Sequence, residues 1–247
     1  MNNTSFQNIV KLVKKFFVER WKIEMIIFLA IFLACFFMSL LFRLTHSPIL
    51  ITFITGIFIT SIAFAATIFS ELRSKTSSLM YLSLPASSLE KLISKIIISH
   101  IIRPLSFFIA GFSGIILAFV FKHQIFSTDF EDFLREFVDV TISPYFILII
   151  IISAMMLSIS IFTFGSVYFK RAAFIKTLLS LLVIFTIWAV LNACVSYIIF
   201  TYFGSETHIH YTYVESHIYK IISICVMWIV TIFFWVLSYF RLRETEV

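Results

Sequence analysis

The chain has few charged residues for its length. Of its 247 residues only 13% are charged, whereas 61% are hydrophobic. A soluble domain carries about 25% charged residues, because its surface must interact with water. The composition therefore excludes a soluble globular protein and indicates one that resides in a lipid bilayer. At this length we expect one transmembrane domain over residues 1–247, with no room for a separate soluble domain.

The motifs of catalysis and of metal binding are also missing. There is no GxxxxGK[ST] phosphate loop, no HExxH pattern and no pair of carboxylates or nucleophile with a base. The three cysteines, Cys35, Cys194 and Cys225, lie in apolar runs without a CxxC spacing, which is typical of small buried or lipid-facing side chains. We therefore predict a protein that is not an enzyme and holds no metal or cofactor of its own.

Long apolar runs are what the chain has instead. A helix that crosses a bilayer needs about 20 mostly apolar residues. The runs that qualify predict an all-α membrane protein of about six transmembrane helices. Their approximate bounds are 25–42, 49–69, 105–121, 145–169, 177–200 and 221–240.

The basic residues predict how these spans are oriented. The net charge of +6 is spread between the apolar runs rather than gathered on a polar module, which argues against nucleic acid as a partner. With the N-terminus inside, the outer segments hold only four of the 19 basic residues: Arg43, Lys122, Arg135 and Lys220. Lys and Arg concentrate on the cytoplasmic side, so both termini are expected in the cytoplasm.

The residues before the first span have the pattern of an amphipathic helix, over about 5–22. Apolar side chains recur there at steps of three and four residues, and lysines occupy most of the other side. A helix of this kind, with Trp21 at the border, suits the inner headgroup layer of a membrane. We therefore predict an interfacial elbow helix ahead of the first span.

The outer segments, 122–143 and 201–219, carry weaker signals. Asp129 to Val138 has the cap and spacing of a short amphipathic helix on the outer face. The second segment is rich in Tyr and contains His208, His210 and His217, whose side chains could in principle hold zinc. Their spacing matches no known ligand pattern, so we predict unliganded histidines.

Three ionisable residues lie where apolar runs begin. His100 and Arg103 are one turn apart at the start of the third run, and Glu24 opens the first. Ionisable residues inside a membrane often mark a functional path. Because these positions are close to the interface, we expect His100 and Arg103 to extend toward headgroups and Glu24 to pair with Arg20 or Lys22.

The inner loop, residues 70–95, is the most informative segment. Residues 70–80 look helical and polar, the proline in 82–85 breaks the helix, and Ser87 or Ser88 can cap a new helix that leads into the third span. This predicts a helix–break–helix projection with an apolar centre inside a polar rim. Such a surface is suited to docking another protein.

The stretch Tyr81-Leu-Ser-Leu-Pro-Ala-Ser-Ser-Leu-Glu-Lys91 resembles the cytoplasmic loop of type-2 ABC-transporter permeases, the transmembrane subunits of bacterial exporters. The wider layout is similar too: an elbow helix, six spans, a long first inner loop and a short second one at 170–176. The resemblance covers the whole chain in organisation and about a dozen residues as a motif.

The resemblance implies a permease subunit of an ATP-driven exporter in the bacterial inner membrane. Such subunits form dimers with a second, identical or related, permease and are driven by a separate cytoplasmic ABC ATPase that binds ATP and Mg²⁺. The first inner loop would be a coupling helix seated in that ATPase. The residues expected at this docking surface are Glu71, Arg73, Lys75, Tyr81, Leu84, Pro85, Ser87, Glu90 and Lys91, with Lys170 and Arg171 as a second contact.

Two other functions remain open. An ATP-independent transporter or channel would be favoured by acidic residues within the spans, and the middle portions of the spans contain none. A membrane scaffold or assembly protein would not need a docking loop of this length. The cargo is not evident from the residues, although the sparse polar side chains of the spans favour an amphipathic or lipid-like molecule.

Overall fold

The computed structural model describes residues 2–41, 46–73, 75–83, 86–121, 135, 145–169, 171–203 and 217–245. Within these ranges the long elements are all helical. The α-helices are α1 (Asn2–Leu41), α2 (His46–Ala65), α3 (Lys75–Leu82), α4 (Ser88–Ile96), α5 (Arg103–Phe121), α6 (Tyr145–Tyr168), α7 (Ala173–Phe203) and α8 (His217–Glu244). A 3₁₀ turn at Ser70–Arg73 precedes α3, and a π-helical segment at Ile97–Ile102 joins α4 to α5.

Six of the described helical stretches are long and apolar enough to cross a membrane. Their ranges are Phe6–Leu41, Phe53–Leu72, Ser88–Phe121, Leu148–Tyr168, Ala173–Cys194 and Ile221–Glu244. This confirms the predicted all-helical class and number of spans. The chain therefore has the number and length of apolar helices expected of a multi-pass membrane protein.

The first helix is longer than the sequence pattern predicts. The predicted elbow, 5–22, and the predicted span, 25–42, are joined in α1 without interruption over 40 residues. At 1.5 Å per residue such a helix is about 60 Å long, about twice the thickness of a bilayer's hydrocarbon core. About half of a straight α1 therefore extends beyond that core unless it tilts strongly. Its polar N-terminal half is the part suited to do so.

The helices pack in two groups that meet through α2 and through the contact of α4 with α8. One group is α1 against α5, and the other is α6 against α8 and α7, while α2 contacts both α5 and α6. Ala65 and Ala66 pack there against Ile159 and Phe162 of α6 in a fully buried cluster. From Leu178 to Cys194, by contrast, nearly all of the side chains of α7 are exposed. An apolar helix face of this kind suits lipid or another subunit.

Small residues allow the closest helix contacts. A Cβ atom at Gly114 of α5 would overlap the backbone carbonyl oxygen of Phe32 in α1, and one at Gly165 of α6 would overlap the Thr177 hydroxyl in α7. Transmembrane helices associate through such close approach, because lipid removes the hydrophobic drive between them. The two glycines therefore determine how near these helix pairs can lie.

The π-helical segment is explained by the proline that follows it. Pro104 has no N–H to donate, and its ring would clash with the carbonyl group of His100 in a regular helix. The backbone N–H of Arg103 donates to the carbonyl oxygen of Ile98, five residues back, instead of to that of Ser99. This wider turn accommodates the proline and keeps α4 and α5 in one continuous helical rod.

Two sequence predictions lie largely outside the described residues. Of the segment 122–143, in which we predicted a short outer helix, the structure describes only Arg135, which is helical. The segment 201–219 is described only at its two ends, where α7 finishes and α8 begins. His208 and His210 fall in the part between.

Substituting Ala for Gly114 should destabilise the fold, because the new methyl group meets backbone that cannot rotate away. Overpacking of this kind costs about 1–3 kcal/mol. Gly56 is the matched control, since a Cβ there meets nothing within 4 Å. Gly56→Ala should leave the fold unchanged or stabilise it by about 0.5–1 kcal/mol through helix propensity. Thermal unfolding of both variants in detergent measures the difference, and equal shifts would contradict this account of α1–α5 packing.

Candidate functional site

The segment between α2 and α5 folds against one end of the bundle. Its side chains Leu72, Tyr81 and Leu92 share a buried apolar cluster with Phe16 of α1 and Leu242 near the end of α8. The N-terminal half of α1, the inner loop and the end of α8 therefore lie at the same end of the molecule. A chain that crosses a membrane an even number of times has both of its termini on the same side.

The start of α4 is fixed by a reciprocal cap. The Ser87 hydroxyl accepts a hydrogen bond from the backbone N–H of Glu90 at 3.3 Å, and the Glu90 carboxylate accepts one from the backbone N–H of Ser87 at 2.9 Å. This capping box satisfies two backbone donors at the helix end. The Asn8 amide of α1 also donates to Glu90 at 3.5 Å. The sequence prediction of a cap at Ser87 is confirmed.

An ion cluster then ties the loop to α1. Lys95 of α4 donates to both carboxylate oxygens of Glu71, at 3.0 and 2.8 Å. Arg20 of α1 lies 3.7 Å from the same carboxylate and donates to the Ser70 hydroxyl at 2.8 Å. Glu71 is thus held between two cations from two different helices. We call Arg20, Glu71 and Lys95 the ion cluster.

Aromatic rings surround the buried cation of this cluster. The Lys95 ammonium lies 5.0 Å from the ring centre of Phe16 and 5.3 Å from that of Tyr81. The Lys91 ammonium lies 5.7 Å from the centre of the Tyr81 ring. Ring faces attract cations, most strongly where water is excluded. Tyr81 therefore belongs to the packing between α3 and α4.

Several residues predicted at the docking surface are buried. The side chains of Glu90, Lys91 and Tyr81 are all below the surface, and only 2% of Lys91 is exposed. Glu71 faces inward to Lys95, with part of its carboxylate accessible. Burial follows from the contacts above, because the cap and the rings hold these groups inside the fold. A residue buried in this way stabilises the loop rather than touching a partner directly.

The other predicted docking residues are distributed differently. Ser87 is exposed at the cap, and Arg171 is exposed in the short connection before α7. Arg73 ends the 3₁₀ turn and Lys75 begins α3, while the structure does not describe their side chains. Leu84, Pro85 and Lys170 lie outside the described residues.

The exposed part of the loop is one face of α3. Thr76, Leu79, Met80 and Ser83 recur at steps of three and four residues and are all exposed. Leu79 and Met80 are each 69% exposed, although they are large and apolar. We call these four residues the α3 surface. Exposed apolar side chains bordered by polar ones are typical of a protein contact. The apolar centre of the loop was visible in the sequence, but which of its members face outward depends on the packing of Tyr81.

Glu24 of α1, His100 of the π-helical segment and Arg103 of α5 all have partners, and His100 and Arg103 are buried. Arg103 forms an ion pair with Glu24, and its guanidinium lies 4.0 Å from the ring centre of Phe64. His100 accepts a hydrogen bond from the Trp235 indole N–H at 3.3 Å through its Nε2 atom and contacts the Ser99 hydroxyl through Nδ1. The prediction that both side chains extend to headgroups is wrong, as is the predicted partner of Glu24. Side chains of α2 and α8 cover them.

No metal site is found in the described part of the chain. Within it, no group of three or more His, Cys, Asp or Glu side chains is arranged to hold an ion. Cys35, Cys194 and Cys225 are free thiols, of which the first is half-buried and the other two are exposed.

Comparison with known proteins adds no identification. No family model, curated protein or solved structure matches the chain. The function must therefore be argued from the site itself, since a helical membrane fold alone hosts many activities.

Removing the Glu71 charge should destabilise the protein, because Lys95 would stay buried without its carboxylate. Loss of one member of a buried pair costs up to about 3–5 kcal/mol. Glu71→Gln should therefore unfold at markedly lower denaturant, and the added change Lys95→Met should recover part of the loss. The exposed pair Arg241–Glu244 at the end of α8 is the control, where Glu244→Gln should cost at most about 0.5 kcal/mol. Denaturant titration in detergent measures all three, and similar costs for Glu71→Gln and Glu244→Gln would contradict a structural role for the ion cluster.

Proposed function

We propose that the chain is the transmembrane permease subunit of an ATP-driven ABC exporter in a bacterial inner membrane. It docks a separate cytoplasmic ATPase through the loop between its second and third spans. It forms the translocation path with a second permease subunit. The exposed apolar α3 surface on an otherwise well-packed loop is the observation that carries this proposal.

The sequence supports the need for a separate motor. The chain has no phosphate loop, so ATP would be bound and hydrolysed by another polypeptide. Cargo movement driven by ATP then requires a mechanical contact between the two chains. That contact must lie outside the bilayer, where a soluble ATPase can reach it. The loop 70–95 is the longest candidate with the required polarity.

The geometry of the loop suits force transmission. The ion cluster links the 3₁₀ turn to α1 and α4, and α4 continues through the π-helical segment into α5. A displacement of α3 would therefore be transmitted to the spans of α1 and α5, through the charge pairs and the continuous helix, and not through a flexible linker. Rigid helices moving as bodies are a common element of such transitions.

The structure changes which residues we assign to direct contact. The α3 surface, with Ser87 and Leu89, would touch the ATPase. Arg171, together with Lys170, would form the second contact. The buried residues Tyr81, Glu90 and Lys91, with the partly exposed Glu71, would position this surface without touching the partner. Arg73, Lys75, Leu84 and Pro85 stay in the proposed docking segment.

A second subunit has an available face. The side chains of α7 between Leu178 and Leu191 are nearly all exposed and apolar. In a membrane such a face is covered by lipid or by another helix. Dimerisation remains part of the proposal, with the N- and C-terminal ends of the chain on the cytoplasmic side.

Truncating the α3 surface should weaken ATPase binding. The double variant Leu79→Ala/Met80→Ala removes two exposed apolar side chains that the fold does not use. Anchor residues of an interface cost about 2 kcal/mol or more on truncation, so binding should fall by at least about tenfold. The measurement is co-purification with a Walker-motif ATPase identified by mass spectrometry, followed by titration of the purified pair.

The control variant is Thr76→Ala/Ser83→Ala, on the same face of the same helix. It should leave binding within about threefold of the wild type, since small polar residues contribute little at interfaces. Both variants should fold normally, because all four residues are exposed. Unchanged ATPase binding and ATP-dependent transport in the Leu79/Met80 variant would overturn the assigned docking surface. An ATPase-free protein that still moves cargo would overturn the proposed function as a whole.

A further inference from the structure

A cavity of about 400 Å³ lies between α1 and α2, with α5 behind it. Both helices pack along α5 and hardly touch each other, so a slot remains between them. Ile31, Ala34 and Met38 of α1 line one wall, and Gly56 and Thr60 of α2 line the other. Ala34, Met38 and Gly56 are exposed at the rim, so this slot opens sideways at the surface of the bundle.

The floor of the slot is closely packed. Phe107 and Ile115 of α5 are almost fully buried, so their neighbours hold them in place. Phe53 of α2 lies against Gly111 of α5, where a Cβ atom would overlap the ring. Gly114 of α5 brings α1 equally close to the same helix. Both walls are therefore fixed on α5, and the slot is a preformed feature of the packing, as most small-molecule sites are.

The lining of the slot favours a hydrocarbon. Among the described residues that line it, none is charged. The Thr60 hydroxyl already donates to the carbonyl oxygen of Gly56 in its own helix at 2.7 Å, and Ser39 is almost fully buried. An internal water needs about two to four polar partners, which this lining does not offer. A methylene chain instead gains dispersion contacts along both walls.

The slot is narrow, and it runs along the helix axes. On α1 its wall extends from Ile31 to Ser39, which is about 12 Å at the rise of an α-helix. A helix with its side chains is about 10–12 Å across, so an equal length of helix needs more than about twice this volume. The occupant is therefore thinner than a helix and extended parallel to the spans. A lipid acyl chain has this form and runs across a bilayer in this direction.

The depth of the slot also suits an acyl chain. Ile31 is about 22 Å further along α1 than Phe16, which lies beside the ion cluster. The slot is thus in the half of the bundle opposite the α3 surface. Its residues belong to helical stretches apolar enough to cross a membrane, so they would face hydrocarbon. A lipid of that leaflet can reach the slot without crossing the protein.

We propose that this slot holds one acyl chain of a membrane phospholipid, from the leaflet opposite the α3 surface. The chain lies between Ala34 and Met38 on one side and Gly56 on the other, and the headgroup stays outside the slot, beyond Ser39. Retention then depends on the chain and not on the chemistry of the headgroup. The inference rests on the packing of α1, α2 and α5 and on no ATPase partner, so it can fail while the proposed function stands, or the reverse.

The test is photolabelling of the full-length chain in proteoliposomes. The vesicles contain phosphatidylcholine or phosphatidylglycerol with a diazirine near the middle of one acyl chain. The protein is solubilised, washed in detergent to remove loosely associated lipid and then illuminated, and the labelled residues are located by mass spectrometry. We expect residues 31–39 and 53–60 to carry at least about fivefold more label than the exposed residues 182–191 of α7, because a closely packed chain resists the washing. The two phospholipids should label equally.

Filling the slot should remove this label. Gly56→Leu places an aliphatic side chain in it and should fold, since a Cβ atom at Gly56 meets nothing within 4 Å. The label on residues 31–39 should fall by at least about fivefold, because two groups cannot share a close-packed space. Ala34→Leu fills the slot from the opposite wall and should have the same effect. Ile59→Phe is the matched control, since Ile59 is exposed on α2 outside the slot, and it should change nothing.

Three results would overturn the proposal. They are equal labelling of the slot and of α7 after washing, unchanged labelling in both slot variants, and the same loss in Ile59→Phe. A strong preference for one of the two phospholipids would reject recognition of the chain alone. A diazirine-bearing fatty acid is the remaining probe, and labelling by it but by neither phospholipid would assign the slot to a free fatty acid and reject a membrane phospholipid.

Discussion

The pairing of Lys95 with Glu71 is the interaction on which this end of the molecule depends. An ammonium group that has lost nearly all contact with water must be compensated by an opposite charge and by hydrogen bonds. Glu71 supplies both, and Arg20 brings α1 to the same carboxylate. Three elements that are far apart in the sequence are thereby held to one point. The rings of Phe16 and Tyr81 complete the enclosure, and the orientation of α3 follows from the position of Tyr81.

Burial on one side of α3 determines what its other side offers. Because Tyr81 and the ion cluster occupy the inner face, Leu79 and Met80 are directed outward. A loop held only by weak contacts would adopt many conformations and expose different side chains in each. This loop is held in one conformation and exposes a single apolar face. Preorganisation of this kind lowers the entropic cost of association. The docking role proposed for the loop would benefit from this rigidity.

Much of the architecture could be predicted from the sequence, because a bilayer imposes simple constraints of length and polarity. The span at 145–169 agrees with α6 to within one residue, and Ser87 with Glu90 has the spacing of a capping box. Local patterns of this type need no knowledge of distant residues. The continuity of α1 was missed, since an amphipathic stretch and an apolar one are both compatible with helix. Their junction carries no sequence signal of a bend.

The pairings of charged residues could not be predicted in the same way. Glu24 and Arg103 belong to different helices, and so do Asn8 and Glu90. Nothing local indicates such partners, because they meet only when the bundle assembles. From the sequence, the charged side chains of the loop were therefore expected at a solvent-exposed surface. Packing instead buries Glu90 and Lys91. The resemblance to a family directed attention to this segment, and packing buries Tyr81, Glu90 and Lys91, which it implied at the surface.

The π-helical segment gives the rod of α4 and α5 a property that a regular helix would lack. Inward-facing positions advance by four and three residues through Lys91, Lys95 and Ile98, then by five to Arg103, and by four again to Phe107. The additional residue lets both α4 and α5 pack against α1 on either side of the π-helical segment. If that turn tightened to regular α-helix, everything before it would swivel by about 100° relative to α5. Such a rotation would move Leu79 and Met80 around the circumference of the bundle. A change of hydrogen bonding in the π-helical segment would thus displace the whole loop.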